Sequence, residues 1–461
     1  MSSYNVKVQE LKSRSDRSRR PWRLRWTVER KEFERRYATK ALADNFRAKL
    51  LQAMRAGEPF DEQLGLPESE VRARTRITWY DHACVYAEMK WPHAAAKSRK
   101  SIVEGLVTVT TALVAPGKSY SDAPVLRRAL FWAFKPHRVN EPPADLAHAV
   151  QWIERNSLPI VRLSESDTVR LALNACARKL DGSPAAATTT SRKRAVLYNA
   201  LGYAVERDLL QYNPVDKVQW RPPAVAERVD RRVVASTAQV EEMLAVVPAV
   251  HRRGDHFVAF FGCLYYAGMR PSEAASLRAD DCALPRSGWG RLVLVETAPH
   301  AGREWTDDGE ARDAHGLKHR AHGETRRVPI PPELVALLRH HQATFGTTPD
   351  GRLFQSARGG YLPEADYGRI WKAARQAVLT SAQVASPLAA RPYDLRHAAV
   401  TLWLNGGVPA PEIATRVGHG VEVLLRVYAG CIDGEESVVN TRIEEALRAS
   451  RGGGPDTGQV A

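Results

Sequence analysis

Cysteine is scarce and scattered in this chain. The five thiols, Cys84, Cys176, Cys263, Cys282 and Cys431, are odd in number and form no Cys-x-x-Cys pair, which argues against both a disulfide framework and a zinc module. Long apolar runs are missing as well. The most apolar uncharged stretch, 257–269, is shorter than the roughly 20 residues a membrane-crossing helix needs. The opening MSSYNVKVQELKSRSDRSRR has no apolar centre of a secretory signal. Neither clustered carboxylates nor a His/Cys ligand set can be found, so no metal and no cofactor is expected. Together these absences point to a cytoplasmic chain with no membrane partner. No internal repeat is visible.

What is present is positive charge. Across 461 residues, 67 Lys and Arg face 52 Asp and Glu, a net charge of +15 and a pI near 9.7. A large protein this basic is expected to meet a polyanion, with nucleic acid the first candidate. The 44% hydrophobic content supplies sizeable cores, and the length suits about three domains at roughly 150 residues each. A disordered tail protein and a disulfide-stapled miniprotein are excluded.

The charge is concentrated at the start, where residues 1–40 hold 13 Lys and Arg against 5 Asp and Glu. Within that block Trp22-Arg-Leu-Arg-Trp-Thr-Val28 alternates apolar and basic residues, the period of a strand with one wet face. A turn over 29–32, a second Arg-bearing strand over 33–39 and an amphipathic helix over 40–54 follow. A small sheet with arginine on one face and a helix behind the other suits a DNA groove; a basic surface hairpin without a specific ligand is the alternative. Arg20, Arg23, Arg25, Arg30, Lys31 and Arg35 are the candidate contacts.

The expected architecture is mainly α with small β-sheets, in several domains: a basic sheet-plus-helix unit over 1–75, an all-α domain over 76–220, a charged linker over 221–232, an α+β domain over 233–450 and a disordered tail over 451–461. Helical apolar spacing at 79–89, 99–113, 125–134, 166–180 and 188–210 builds the second unit. Ser236-Thr-Ala-Gln239 reads as a capping box opening the fourth. There, 291–296 and 325–330 read as strands, and 331–345, 363–379 and 394–405 as helices.

Three stretches of the α+β domain stand out. In Gly268-Met-Arg-Pro-Ser-Glu273 an apolar helix stops at glycine and Arg270 sits at the joint before the next helix, for which Ser272 is the expected cap. In Arg391-Pro-Tyr-Asp-Leu-Arg-His397, Asp394 is the expected cap and Arg396 lies in the first turn. Arg416-Val-Gly-His-Gly420 is followed, nine residues after His419, by Tyr428. Taken singly each is ordinary; their combination and order are not.

The set resembles the tyrosine recombinases, the phage-integrase family of site-specific DNA recombinases, over about 200 residues. The helical 78–218 stretch resembles that family's core-binding domain, and the basic N-terminal unit resembles the arm-type DNA-binding domain of larger integrases. The family places a lysine on a hairpin before an Arg-x-Val-Pro strand. Arg326-Arg-Val-Pro329 matches the strand, and Lys318 is the best lysine, with Arg320 a rival cation. One departure is plain: where the family usually has histidine, three residues before the second arginine, this chain has Tyr393. A phenol can hydrogen-bond a phosphate, but an ordinary pKa near 10 makes it a poor proton shuttle.

The resemblance implies that Arg270 and Arg396 clamp the non-bridging oxygens of a DNA phosphodiester, that His419 hydrogen-bonds the same phosphate, and that Tyr428 attacks to form a 3′-phosphotyrosine. Lys318 would protonate the leaving 5′-oxygen. Glu273 and His397 would orient the arginines. Neither metal nor ATP is implied. The implied partners are double-stranded attachment sites of core and arm type, held in a C-shaped clamp, a homotetramer on two synapsed duplexes with 443–449 docking on a neighbour, and a DNA-bending or excisionase accessory protein. The implied task is to integrate or excise a mobile element; a DNA-binding protein on the same fold that has lost catalysis is the alternative, as is a topoisomerase or chromosome-dimer resolvase.

Overall fold

The computed structural model describes residues 2–13, 21–136, 141–225, 227–313, 315–317, 324–431, 440–441, 443–445 and 447–448. The chain divides into two compact units, Met1–Val225 and Ala226–Ala461.

The first unit opens on short strands β1 (Ser2–Ser3), β2 (Val6–Val8) and β3 (Lys12–Ser13), then β4 (Trp22–Val28), β5 (Lys31–Tyr37), helix α1 (Lys40–Arg55) and strand β6 (Phe60–Asp61). β4 is central: β5 pairs along one edge, while β2 and β3 share the other. The second strand starts at Lys31, earlier than its sequence suggests, because Val28 pairs with Lys31 across a two-residue turn at Glu29-Arg30. Glu29 adopts a positive φ of 52° there, as tight hairpin turns demand. Leu24, Trp26 and Val28 point inward with Phe33 and Tyr37 against Ala43, Phe46 and Leu50 of α1. The Trp26 indole N–H donates to the Gly65 carbonyl at 2.5 Å, which removes the cost of burying that donor.

Six longer helices follow α2 (Glu68–Arg76): α3 (Trp79–Lys90), α4 (Ala96–Ala112), α5 (Ala123–Ala133), α6 (Ala144–Asn156), α7 (Ser166–Cys176) and α8 (Ala187–Glu206). Apolar spacing alone did not mark α6, whose buried positions Leu146, Ala149, Val150 and Ile153 nevertheless repeat at helical intervals.

The second unit is built round α9 (Thr237–Val250) and α10 (Asp255–Tyr266). Ser236 and Gln239 form the reciprocal cap that starts α9. Residues 231–250 are apolar enough by composition to cross a membrane. They are, however, a 3₁₀ turn at Arg231–Val233 followed by a helix of 14 residues with Pro248 inside it, and Val240, Met243, Leu244 and Val247 lie in the core. α10 is apolar on nearly every face and correspondingly buried.

After α11 (Pro271–Ala275) come β7 (Cys282–Ala283), β8 (Gly290–Leu294), β9 (Glu296–Thr297), β10 (His315–Gly316) and β11 (Arg326–Ile330). β11, β8 and β7 form an antiparallel sheet in that order. The remaining helices are α12 (Pro332–Phe345), α13 (Glu364–Val378), α14 (Ser381–Ala385), α15 (Asp394–Asn405), α16 (Ala410–Val417) and α17 (Val421–Tyr428). The last two, with Val400 of α15, make a small apolar cluster of their own that includes Tyr428. The proposed tail, 451–461, lies outside the described residues, as do parts of 443–449.

Candidate active site

The apolar α10 ends at Tyr266 and Gly268 turns the chain with φ +57°; a Cβ there would meet the Trp403 ring at 3.1 Å. That turn delivers Arg270 to the start of α11. Ser272 does not cap this helix. Glu273 does the work instead, folding back so that the Arg270 backbone N–H donates to Oε2 at 2.8 Å and Arg270 Nη1 to Oε1 at 2.7 Å. A carboxylate three residues past the cap position reaches back to the entry N–H more readily than a serine two residues past it.

Glu273 holds a second guanidinium. Arg326, on the inward face of β11, donates from Nη1 to Oε1 at 3.0 Å and from Nη2 to Oε2 at 2.7 Å, and both side chains are almost fully enclosed. Burial alone would raise the Glu273 pKa; Arg326, then Arg396 and Arg270, outweigh it and hold the carboxyl at about 2. Arg326 was legible in the sequence only as part of a strand. The signal was the alternation Arg326, Val328, Ile330 on one face, which places a cation in the core and therefore demands an anion there.

Arg396, in the first turn of α15, is fully buried. It donates from Nη1 to the Gly268 carbonyl, and from Nη2 to the Val417 carbonyl at 2.6 Å and to His419 Nε2 at 3.2 Å. One guanidinium thus ties the turn before Arg270 to the end of α16. Asp394 does not cap α15: its carboxylate accepts from the Arg391 backbone N–H at 2.8 Å and from Arg391 Nη2 at 3.0 Å, and Tyr393 occupies the cap position. Upstream, Arg375 fastens the approach to this helix by donating to the carbonyls of Gln383, Val384, Ser386 and Leu388.

His419 follows Gly418, which takes the left-handed conformation (φ 65°, ψ 50°) that closes α16. A Cβ at 418 would lie 2.6 Å from Arg326 Nη1, so glycine is required for this approach. Arginine has no lone pair to offer, so His419 Nε2 accepts and its proton sits on Nδ1. Burial, then Arg396, Arg270 and Arg326, push its pKa down to about 3. The ring is therefore neutral and carries an N–H donor that has no partner among the described residues.

Tyr428, at the end of α17, is 1% exposed. Its hydroxyl lies 2.9 Å from His397 Nδ1, and burial raises its pKa well above the ordinary phenol range, opposed by Arg396. Tyr393 lies edge-on to His397 with centroids 5.2 Å apart. Burial works against the Arg270 charge, but Glu273 and the Tyr393 phenol raise its pKa.

The structure therefore gathers Arg270, Glu273, Tyr393, Arg396, His397, His419 and Tyr428 in one place, and adds Arg326. Three guanidiniums face one carboxylate. Arg326 Nε and Arg396 Nε, like His419 Nδ1, are buried without a partner among the described residues. Buried donors left open cost about 1–3 kcal/mol each, and an anion would satisfy them. Arg270, with 16% of its side chain exposed, is the open guanidinium of the set. Lys318 and Arg320 lie outside the described residues. Among those residues no cluster of three or more His, Cys, Asp or Glu is arranged to hold a metal.

The N-terminal candidates separate. Arg23 and Arg25 lie on the outer face of β4, with Arg36 beside them on β5, and all three converge on Glu34. Arg30 and Lys31 are at the exposed hairpin turn. Arg35 is a correction. It faces inward with Phe33 and Tyr37, stacks on Phe46 at 4.6 Å and pairs with Asp208 at 3.4 Å, so it belongs to the interior and not to a DNA-facing surface. Arg20 lies outside the described residues.

No protein-family model and no curated protein matches the chain. Among solved structures, it is similar to a Tn1549 transposon integrase fragment in complex with a circular intermediate DNA, at 17% identity over 70% of this chain and 98% of that one, with a TM-score of 0.45. It is similar to the XerH site-specific recombinase bound to a difH substrate, at 12% identity over 77% and 96%, TM-score 0.41. It is also similar to a lambda integrase dimer bound to a COC′ core site, at 12% identity over 98% and 97%, TM-score 0.47.

Proposed function

We propose that the chain is a tyrosine recombinase, an integrase that cuts and rejoins DNA strands through a 3′-phosphotyrosine to insert or excise a mobile element. One observation carries this reading: a site with two net positive charges and unpartnered N–H donors lies beside an enclosed tyrosine. A phosphodiester carries one negative charge and two acceptor oxygens, which is the complement of that site. Charge gathers on those oxygens in the transition state, and fixed guanidiniums stabilise it without reorganising. Each such donor is typically worth about 3–4 kcal/mol.

In this reading Arg270 and Arg396 hold the phosphate, His419 donates from Nδ1, and Glu273 with Arg326 fixes Arg270. Lys318 protonates the leaving 5′-oxygen. The phosphotyrosine retains the energy of the broken bond, so a 5′-hydroxyl from a second duplex can attack it without ATP. The protein works on core and arm sites as a homotetramer holding two duplexes, with a DNA-bending or excisionase accessory protein and within the cytoplasm.

The test is a pool of random-sequence duplexes carrying a single nick, incubated with the full chain in EDTA and no nucleotide. A covalent protein–DNA adduct that survives denaturation is expected. Binding without any adduct, with or without divalent metal, would instead favour a DNA-binding protein that has lost catalysis.

The N-terminal face yields its own expectation. Glu34 neutralises Arg23, Arg25 and Arg36 together, so Glu34→Gln removes the carboxylate they share. Affinity for duplex DNA should rise roughly three- to tenfold at low salt, with a log–log salt slope steeper by about one. Unchanged binding, measured by anisotropy over a salt series, would show that this face does not meet phosphate.

A further inference from the structure

We infer that His397 is the group that takes the phenolic proton from Tyr428 in strand cleavage and returns it in rejoining; this rests on the phosphotyrosine reading above. The geometry is direct. His397 Nδ1 lies 2.9 Å from the Tyr428 hydroxyl, and at 1% exposure the phenol has no bulk water to receive its proton.

The rest of the site leaves few alternatives. Arg270, Arg326 and Arg396 have no lone pair to offer. His419 has one, but it is directed at Arg396 Nη2, and the other ring nitrogen is an N–H that can only donate. The two imidazoles differ in their partners. His419 Nε2 faces a pure donor and so presents a proton from Nδ1, whereas His397 Nδ1 faces a hydroxyl that has a proton to give. Tyr393 is a second phenol, a weaker base than an imidazole.

His397 is also held firmly. It sits within the first turns of α15, between Arg396 and the core residues Ala398 and Ala399, so its ring is presented from a rigid element. The charged and titratable groups facing it are Asp394, Arg396 and Arg391, with Tyr393 on the same helix and Tyr428 from α17. Burial, with Arg396 and Arg391 and against Asp394, brings its pKa down to about 4. The ring is the free base at neutral pH.

The step balances. The Tyr428 O–H bond breaks and its proton moves to Nδ1, giving an imidazolium. The phenolic oxygen bonds to phosphorus, the P–O5′ bond breaks, and the 5′-oxygen leaves with a proton from a separate acid, the role proposed for Lys318. Phosphorus passes from one diester to another with its charge unchanged. In rejoining, a 5′-hydroxyl attacks and gives its proton to the group that protonated the leaving oxygen, the P–O bond to Tyr428 breaks, and the imidazolium returns its proton to the phenolic oxygen.

The experiment uses the full chain and a nicked duplex on which the wild type forms an adduct. His397→Asn keeps an acceptor near the phenol but removes the basicity. Adduct formation should fall roughly 10²- to 10³-fold near pH 7, within the range for losing a general base. Its rate should then climb with pH between about 6 and 9, where the wild type is nearly flat. Replacing Tyr428 in the His397→Asn protein by 3,5-difluorotyrosine, whose phenol ionises far more readily, should recover most of the loss. Equal DNA binding by all variants establishes that they are folded.

A His397→Asn protein with the wild-type rate and a flat profile would overturn the inference, and so would a fluorinated variant that recovers nothing. A merely structural role for His397 would not respond to phenol acidity. The parent reading fails separately, through a wild-type adduct that maps to a residue other than Tyr428.

Discussion

Tyr428→Phe is expected to abolish the covalent adduct, by at least about 10⁵-fold, in the range seen when an enzyme's nucleophile is deleted. The fold should tolerate the change. The ring stays in the small cluster with Val400, Ile413, Val417 and Leu424, and only one hydrogen bond, to His397 Nδ1, is lost. An open buried acceptor costs about 1–3 kcal/mol, too little to unfold a domain. DNA binding should persist, because Arg270, Arg396 and His419 do not use the phenol as a partner. Denaturing gels with a nicked duplex, alongside binding and thermal melts, separate these effects. An adduct persisting at a comparable level in the phenylalanine variant would show that another side chain is the nucleophile.

The residues that specify this site were legible in unequal measure. Arg270, Arg396, His419 and Tyr428 could be picked out because their combination and order resemble the motifs of the tyrosine recombinases, although taken singly each is ordinary. Helices with strong apolar periods, such as Glu364–Val378, could be bounded from sequence. What could not be read were side-chain partnerships between distant segments. Glu273 and Arg326 are 53 residues apart in sequence, and His397 and Tyr428 are 31 apart; no local pattern announces either contact. The expected caps at Ser272 and Asp394 failed for a related reason. Each residue had the right type, but Glu273 takes the entry N–H in place of Ser272, and the Asp394 carboxylate is turned back onto Arg391. Arg35 was misplaced by reading charge before period. Phe33 and Tyr37 flank it two residues away on either side, and the alternation of a strand carries it inward with them.

The second large effect concerns Glu273, whose replacement should cost the second unit much of its stability. Removing one partner from a buried ion pair leaves an uncompensated charge and typically costs about 3–5 kcal/mol. Glu273→Gln keeps the shape but not the charge, leaving Arg326 enclosed with only a neutral acceptor beside it. For a unit of this size, that corresponds to a fall in melting temperature of roughly 8–15 °C. Acid should reveal the same interaction in the wild type. The folded pKa of about 2 lies below the ordinary carboxyl value of 4.5, so between those values the unfolded chain binds more protons than the folded one. Stability from Glu273 is therefore complete above about pH 4.5 and is lost as pH falls toward 2. A group with no proton to take up cannot show this loss, so the difference between wild type and Glu273→Gln should narrow across that window. Cleavage should suffer even where the variant is folded, because Arg270 loses both the acceptor for its backbone N–H and the carboxylate that aims its guanidinium. Melting curves of both proteins from neutral pH into acid measure the prediction. If the glutamine variant melted within a degree or so of wild type at neutral pH, Glu273 would not be the anchor on which the arginine cluster is built.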